Sequence, residues 1–418
     1  MAKKSKKITP HQQQKILDAQ LKKAFRERLR KMCEIIGDKS YFNVLPPLFI
    51  DILYTLRGYS LRVLPWKDSV VPKAFLKDLE AILRHWSNNT QLEVIEGSGK
   101  TVSGEDFIHV LQSFAKMFEF EVVPFEGMEL FDPLVKNYKR IYHTYFNSLV
   151  RLAEAVIMLE MDLSAAQHTY HIHINVDEES LRGKFSIELE KVELDTVYVT
   201  FNGNSRLCTR VGLIRDTQLI YPDIPVSKFD PQSKFGKLNV PVYIQPHALK
   251  RIAERTGIPT PGLINFHIFQ ALMVPSISIK EDGGMLIEFY IENLKVGYLL
   301  ADLTDGMIII RTFLFLTNNG TPEGKKLEEL TGLQKDDKKY WGIDNLQALT
   351  HSDILENDEI CSIFRQAGCE PLLQLCEKMQ KEEYLWKGIY AEENTNISHV
   401  SSAILDYLQK ETPFHQTE

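Results

Sequence analysis

The segment His247-Ala-Leu-Lys-Arg-Ile-Ala-Glu-Arg255 joins side chains that can move a proton to side chains of fixed positive charge. Residues three and four apart share a helix face, so His247, Arg251 and Arg255 form one stripe with Glu254 beside it. Ala248, Leu249, Ile252 and Ala253 then face a core. An imidazole or carboxylate as acid and base, with guanidiniums for developing negative charge, is a set suited to a phosphodiester. An ordinary amphipathic helix presents the same pattern, so these residues define a candidate catalytic surface and not yet an activity.

Other constellations carry weaker chemistry. Asn318-Asn-Gly-Thr321 reads as a strand passing into a helix, whose first free amides, with Thr321, Lys325 and Lys326, form a candidate phosphate-binding end. Capping of those amides by Thr321 itself is the commoner use. Gly97-Ser-Gly-Lys-Thr101 ends like a phosphate loop, but the required first glycine falls on Val94. The next helix starts only after Ser103, with Asp106 at the third position, so a hairpin tip is expected there. His171 and His173 share one side of a strand, a spacing that serves a divalent metal if Asp177 or Glu188 joins. No third ligand lies at a telling spacing, and neither a metal nor a cofactor is expected. The five cysteines, at 33, 208, 361, 369 and 376, include no Cys-x-x-Cys pair and read as reduced, mostly buried thiols.

Hydrophobic period places these residues on elements. Helices are expected over 12–36, 46–56, 72–86 and 105–118, and a long one starts at Asp132-Pro133 and runs to 163, with apolar residues every three or four positions. The period changes near residue 168: alternation over 170–176, 185–189 and 197–201, with a turn at Asn202-Gly203-Asn204, predicts a short antiparallel sheet. Five prolines between Pro222 and Pro246 read as a connecting segment. Beyond it come helices over 246–256 and 262–273, then four strands over 276–280, 285–291, 295–303 and 307–316 joined by tight turns. The expected class is α+β: a helical domain over 1–165, a β-rich module over 166–235, a two-helix and meander unit over 236–334, and helices over 335–418.

Length suggests two or three domains of ordinary size. The apolar runs 45–56 and 307–316 fall well short of the ~20 residues a spanning helix needs, so no membrane association is expected. The lysine-rich start lacks the apolar core of a secretory signal, which makes the cytoplasm the expected compartment. Charge is uneven: residues 1–31 hold eleven Lys/Arg against two acids, whereas 335–418 hold 8 basic and 16 acidic side chains. A basic arm of this kind follows nucleic-acid phosphates or an acidic membrane surface, or stands as a solvated terminus docking on the chain's own acidic end.

From Val240 to about Leu316 the chain resembles the small α+β domains of the RelE- and BrnT-type ribonuclease toxins, in which a His-Ala-x-x-Arg-x-x-x-Arg helix precedes a meander. The residues that carry the likeness are His247, Ala248, Arg251, Glu254, Arg255, Gly257 and Ile258, then the strand pairs around Gly297-Tyr298 and Arg311-Thr312. The resemblance covers under a fifth of the chain. It implies metal-free RNA cleavage: attack by the ribose 2′-hydroxyl, His247 or Glu254 as acid or base, and Arg251, Arg255 and Arg311 bearing the phosphorane charge.

The leading expectation is thus a nucleic-acid-directed protein, an endoribonuclease of toxin-like type acting on RNA. The alternative is a non-enzymatic interaction or scaffold protein that forms a homo-oligomer or binds a protein partner through the helix at 132–163. Residues 240–334 hold 8 basic and 10 acidic side chains, unlike the positive surface that normally grips RNA, which keeps this alternative open.

Overall fold

A computed structural model describes residues 9–58, 61–119, 125–164, 168–177, 184–201 and 203–381. The first eight residues of the basic arm, Asn202 of the expected turn and residues 382–418 of the acidic tail lie outside the described residues. The α+β class holds, but the four expected segments condense into two compact units. One comprises the chain up to Val156 with Tyr170–Lys191, and the other Ile157–Thr169 with the chain from Val192 on.

The first unit is mainly helical. Its opening helix, Pro10–Ile36, starts sharply because Thr9 and Gln12 form a capping box around Pro10. The helices Pro47–Leu56 and Lys73–Asn89 follow. The expected helix at 105–118 is broken by a π turn at Phe107–Leu111 between Gly104–Asp106 and Gln112–Glu119. The long helix Asp132–Glu160 buries Leu134, Ile141, Tyr145, Leu149 and Ala153. Tyr145 donates or accepts at Ser87 Oγ, 2.8 Å away, and its ring meets Phe107 and Trp86. The stripe expected for self-association is therefore occupied inside the fold.

The β-rich module does not stand apart. Strands His168–Asp177 and Lys184–Glu193 lie in a three-stranded sheet with Arg62–Pro65, which runs parallel to Lys184–Glu193. Strands Thr196–Phe201 and Asn204–Arg210 instead complete the seven-stranded sheet of the second unit. In order, that sheet is Ile277–Ile279, Met285–Ile291, Leu294–Thr304, Met307–Phe315, Val242–Ile244, Asn204–Arg210 and Thr196–Phe201. The proline-rich connection was expected to divide domains, yet Val242–Ile244 within it joins them. It pairs parallel with Met307–Phe315 and antiparallel with Asn204–Arg210.

The expected meander over 277–315 forms, with helices Pro246–Thr256 and Pro261–Met273 contributing Ala248, Ile252, Ile264 and Ile268 to the same core as Ile308, Ile310, Phe313 and Phe315. A second, smaller cluster of Val199, Cys208 and Ile309, packed with Val197, Phe201, Tyr243 and Met307, has no helical residue and occupies the other sheet face.

Gly297 sits where a side chain has no room: a Cβ there would come within 2.2 Å of Leu314 O and 2.8 Å of the Phe313 ring. Gly297→Ala should lower stability by about 2–3 kcal/mol through overpacking of this pair of strands, measured as a shift in urea midpoint at unchanged slope. An unshifted midpoint would show that the strands separate freely here.

Candidate functional site

Helix Pro246–Thr256 leaves strand Val242–Ile244 through Gln245, whose amide donates to Ile310 O at 3.0 Å, and ends at Gly257 in the left-handed region. Ala248, Leu249 and Ile252 are buried, whereas His247, Lys250 and Glu254 are exposed and Arg251 is partly so. Glu254 holds Arg251 at 2.8 Å and Lys250 at 3.7 Å. Burial and the neighbouring charges of Arg251 and Arg206 pull the His247 imidazole below its ordinary range, which favours its neutral, proton-accepting form at neutral pH. Arg206, on strand Asn204–Arg210, was not legible as a neighbour because the pairing that brings it close is long-range.

The other two arginines of the expected set are engaged elsewhere. Arg255 is partly buried and donates to Phe313 O at 3.2 Å and to Asn318 Oδ1. Asn318 Oδ1 also accepts from Phe315 N at 2.8 Å, so Arg255 secures the end of a core strand. Burial pulls its guanidinium below the usual value, partly offset by Asp344, whose own carboxyl burial pushes up. Arg311 Nε lies 2.6 Å from Asp302 Oδ2, and Asp302 is the cross-strand neighbour of Ile309. Arg311 therefore lies on the sheet face of the small cluster, opposite the helix. His247, Arg251 and Glu254 come together, Arg255 turns inward from them, and Arg311 does not join.

The expected phosphate-binding end is closed from within. Thr321 is buried, its hydroxyl accepts from Gly324 N at 2.9 Å and donates to Leu316 O and Asn318 O at 2.7 and 2.8 Å. Glu323 places a carboxylate in the first turn of Pro322–Thr331, the charge that this helix end prefers. Lys325 and Lys326 are exposed. Behind the turn lies a partly buried network that the sequence did not announce. Lys295 Nζ donates to Glu323 at 2.6 Å, Tyr298 at 3.1 Å and Glu288 at 3.3 Å. Lys338, only 1% exposed, donates to Asn319 Oδ1 at 2.6 Å and Gly324 O at 2.8 Å. Its run, Lys335-Asp-Asp-Lys-Lys, reads as solvated, and only the tertiary fold turns this one lysine inward.

The remaining motifs take structural places. Gly97 and Gly99 have positive φ in the expected hairpin between Gln91–Glu93 and Thr101–Ser103, and Ser103 caps Asp106 N at 3.0 Å. His173 bonds Glu190 at 2.7 Å and stacks on Trp66, while Glu188 accepts from Asn175 and Ser186. Among the described residues no three metal-ligating side chains converge, and the side chain of Asp177 lies outside them. All five cysteines are buried, and burial raises the thiols of Cys33, Cys369 and Cys376 to about 12.

A pocket of about 130 Å³ in the first unit is lined by Leu61, Arg84, Ser87, Asn88, Glu105 and Ile108. Hydrogen bonding from His109 and Arg28 holds the Glu105 carboxyl down at about 2. Arg84 is already bonded to Leu61 O at 3.0 Å and Glu80 at 2.8 Å.

No family model, curated protein or solved structure matches this chain. Among the described residues no helix is long and apolar enough to cross a membrane.

Two outcomes separate the surface from its support. Arg251→Ala should change stability by less than about 0.5 kcal/mol, whereas Arg255→Ala should cost about 1–3 kcal/mol by leaving a buried carbonyl unpaired, as read by chemical denaturation. Equal losses would contradict this division. Burial also lowers the Lys338 ammonium from its usual 10.5 to about 8. The unfolded chain keeps that proton to higher pH, so this group makes stability rise between about pH 8 and 10.5, by about 3 kcal/mol in all. Lys338→Met should remove that part of the slope in denaturant melts, and an unchanged slope would place the amine in water.

Proposed function

We propose that this protein acts by binding, with helix Pro10–Ile36 as the docking element for an acidic, amphipathic protein segment. The observation that carries this reading is that residues 10–24 of one helix are all exposed although Leu17, Leu21 and Ala24 recur at spacings of four and three. Phe25, Leu29, Met32, Cys33 and Ile36 bury the second half of the same helix. The first half is tethered by Asp18, which accepts from Tyr54 at 2.9 Å. About four turns of helix without a buried face are marginal in water, and a partner that covers the leucines would stabilise them.

Over residues 10–26 the helix carries Lys15, Lys22, Lys23 and Arg26, on the side away from the leucines, against the single acid Asp18, and this excess of positive charge fits a negatively charged partner. Phosphates alone would leave Leu17 and Leu21 in water, so a protein segment fits this surface better than a nucleic-acid backbone. The division of Arg255 and Arg311 from His247 weighs in the same direction, because catalysis at a phosphodiester needs those charges to converge.

A second reading rests on His247 itself. An exposed, neutral-leaning imidazole close to Arg206, Arg251 and Lys250 is suited to an RNA phosphodiester, as the toxin-like resemblance implies. Incubating the protein with mixed RNA beside a His247→Ala control tests it. Cleavage lost in the variant supports it, and no cleavage by either removes it.

For docking, an acidic amphipathic helical peptide and a single-stranded RNA should be titrated by fluorescence anisotropy. The peptide should bind, with affinity falling as salt rises, and Leu17→Asp with Leu21→Asp should weaken it at least tenfold while circular dichroism stays unchanged. Binding of RNA but not peptide, insensitive to the leucine changes, would overturn the proposal.

A further inference from the structure

The two edges of the seven-stranded sheet are unlike. Ile277–Ile279 is three residues long and sits between Pro275 and Lys280, features that blunt an edge against pairing with other strands. The other edge, Thr196–Phe201, reads Thr-Val-Tyr-Val-Thr-Phe. Every residue is β-branched or aromatic, and there is no proline and no charge. Tyr198 is 73% exposed.

Hydrogen-bond phase fixes which backbone groups this strand leaves open. Its register on Asn204–Arg210 pairs Thr196 with Thr209, Tyr198 with Leu207 and Thr200 with Ser205. The bond from Arg210 N to Asp195 O, 2.8 Å, identifies 195 and 210 as a hydrogen-bonded pair. In an antiparallel ladder such pairs alternate, so Val197, Val199 and Phe201 bond inward. The amides and carbonyls of Thr196, Tyr198 and Thr200 point out of the sheet, where no strand lies among the described residues.

The stretch Thr196-Val197-Tyr198-Val199-Thr200 is a palindrome about Tyr198. An antiparallel twofold pairing brings a strand against its own reverse, so a palindrome makes every cross-strand pair a like pair. Centred on Tyr198, the pairs are Tyr198 with the second copy's Tyr198, Thr196 with its Thr200, and Val197 with its Val199. Aromatic, threonine and β-branched pairs are favourable directly opposite one another. The outward phase found above is the one this register needs, since Tyr198, Thr196 and Thr200 become the hydrogen-bonded positions and exchange roughly six backbone bonds.

We infer that two copies of this chain associate through Thr196–Phe201 in antiparallel register, with the twofold axis at Tyr198, so that their sheets become continuous. A closed twofold contact of this kind is self-limiting, because each copy has one such edge and it is used up in the pair. The inference is independent of the docking helix and of His247.

Light scattering and sedimentation of the full chain across the micromolar range test it. The wild type should be a dimer. Tyr198→Lys should be monomeric with unchanged circular dichroism, since it sets like charges on the axis at an exposed position. Tyr198→Cys should form a disulfide-linked dimer on mild oxidation, because positions on the axis fall within disulfide reach and the native thiols are buried. Thr196→Cys mixed with Thr200→Cys should cross-link, and either alone should not. A monomeric wild type, a dimer that survives Tyr198→Lys, or failure of Tyr198→Cys to cross-link would each overturn the inference. A monomer that instead takes up an extended Thr-Val-Tyr-Val-Thr peptide would overturn it too and give the edge to a foreign strand.

Discussion

Strand Met307–Phe315 takes an antiparallel neighbour on one side and a parallel one on the other, and the second unit is organised around that double pairing. Its residues Ile308, Ile310, Phe313 and Phe315 are fully buried, a run too apolar to stand at an edge. The parallel partner Val242–Ile244 can be reached only through a long crossover, and helices Pro246–Thr256 and Pro261–Met273 lie within it. Strand Asn204–Arg210 then adds to the far side of Val242–Ile244, which is how a hairpin remote in sequence enters the same sheet.

That arrangement decides the fate of the charged side chains. Alternation along the strands sends Ile308 and Ile310 toward the helices and Ile309 with Asp302 to the opposite face. The register of Met307–Phe315 shifts between the pairs Leu300–Thr312 and Ala301–Ile310, and Arg311 falls at that irregularity, held by Asp302. Arg255 reaches the strand end from the helix side and satisfies Phe313 O. A sheet therefore stands between two arginines that a helical wheel and a motif place together.

The junction after the strand shows the same inward commitment. Thr321 caps its own helix, Glu323 meets Lys295 and Tyr298, and Lys338 covers Gly324 O. Gly324 has no room for a Cβ, which would lie 1.9 Å from Asn318 O, so the turn is held against its surroundings by close backbone contact. Buried ionic groups of this kind fix one geometry more than they add stability, and here the geometry is that of a structural turn. The open surfaces lie elsewhere: on the first half of Pro10–Ile36, around His247, and along Thr196–Phe201.

Local chemistry was legible in the sequence where it acts over short distances. The helix start at Asp132-Pro133, the hairpin at Gly97–Thr101, the helix ended by Gly257 and the four-strand meander all follow from neighbouring residues, because period and turn preference are set within a few positions. The face that His247, Arg251 and Glu254 share was legible for the same reason. Strand partners were not: alternation shows that 170–201 is extended, but not that 184–193 pairs with 62–65 while 196–201 joins a sheet completed by 277–315. Nor could a helical wheel reveal that Arg255 turns inward, that Arg311 lies across the sheet, or that Lys338 is buried among its charged neighbours. Those outcomes depend on desolvation and hydrogen bonding between residues far apart in the chain, and only the assembled fold sets which polar group finds a partner and which one remains in water.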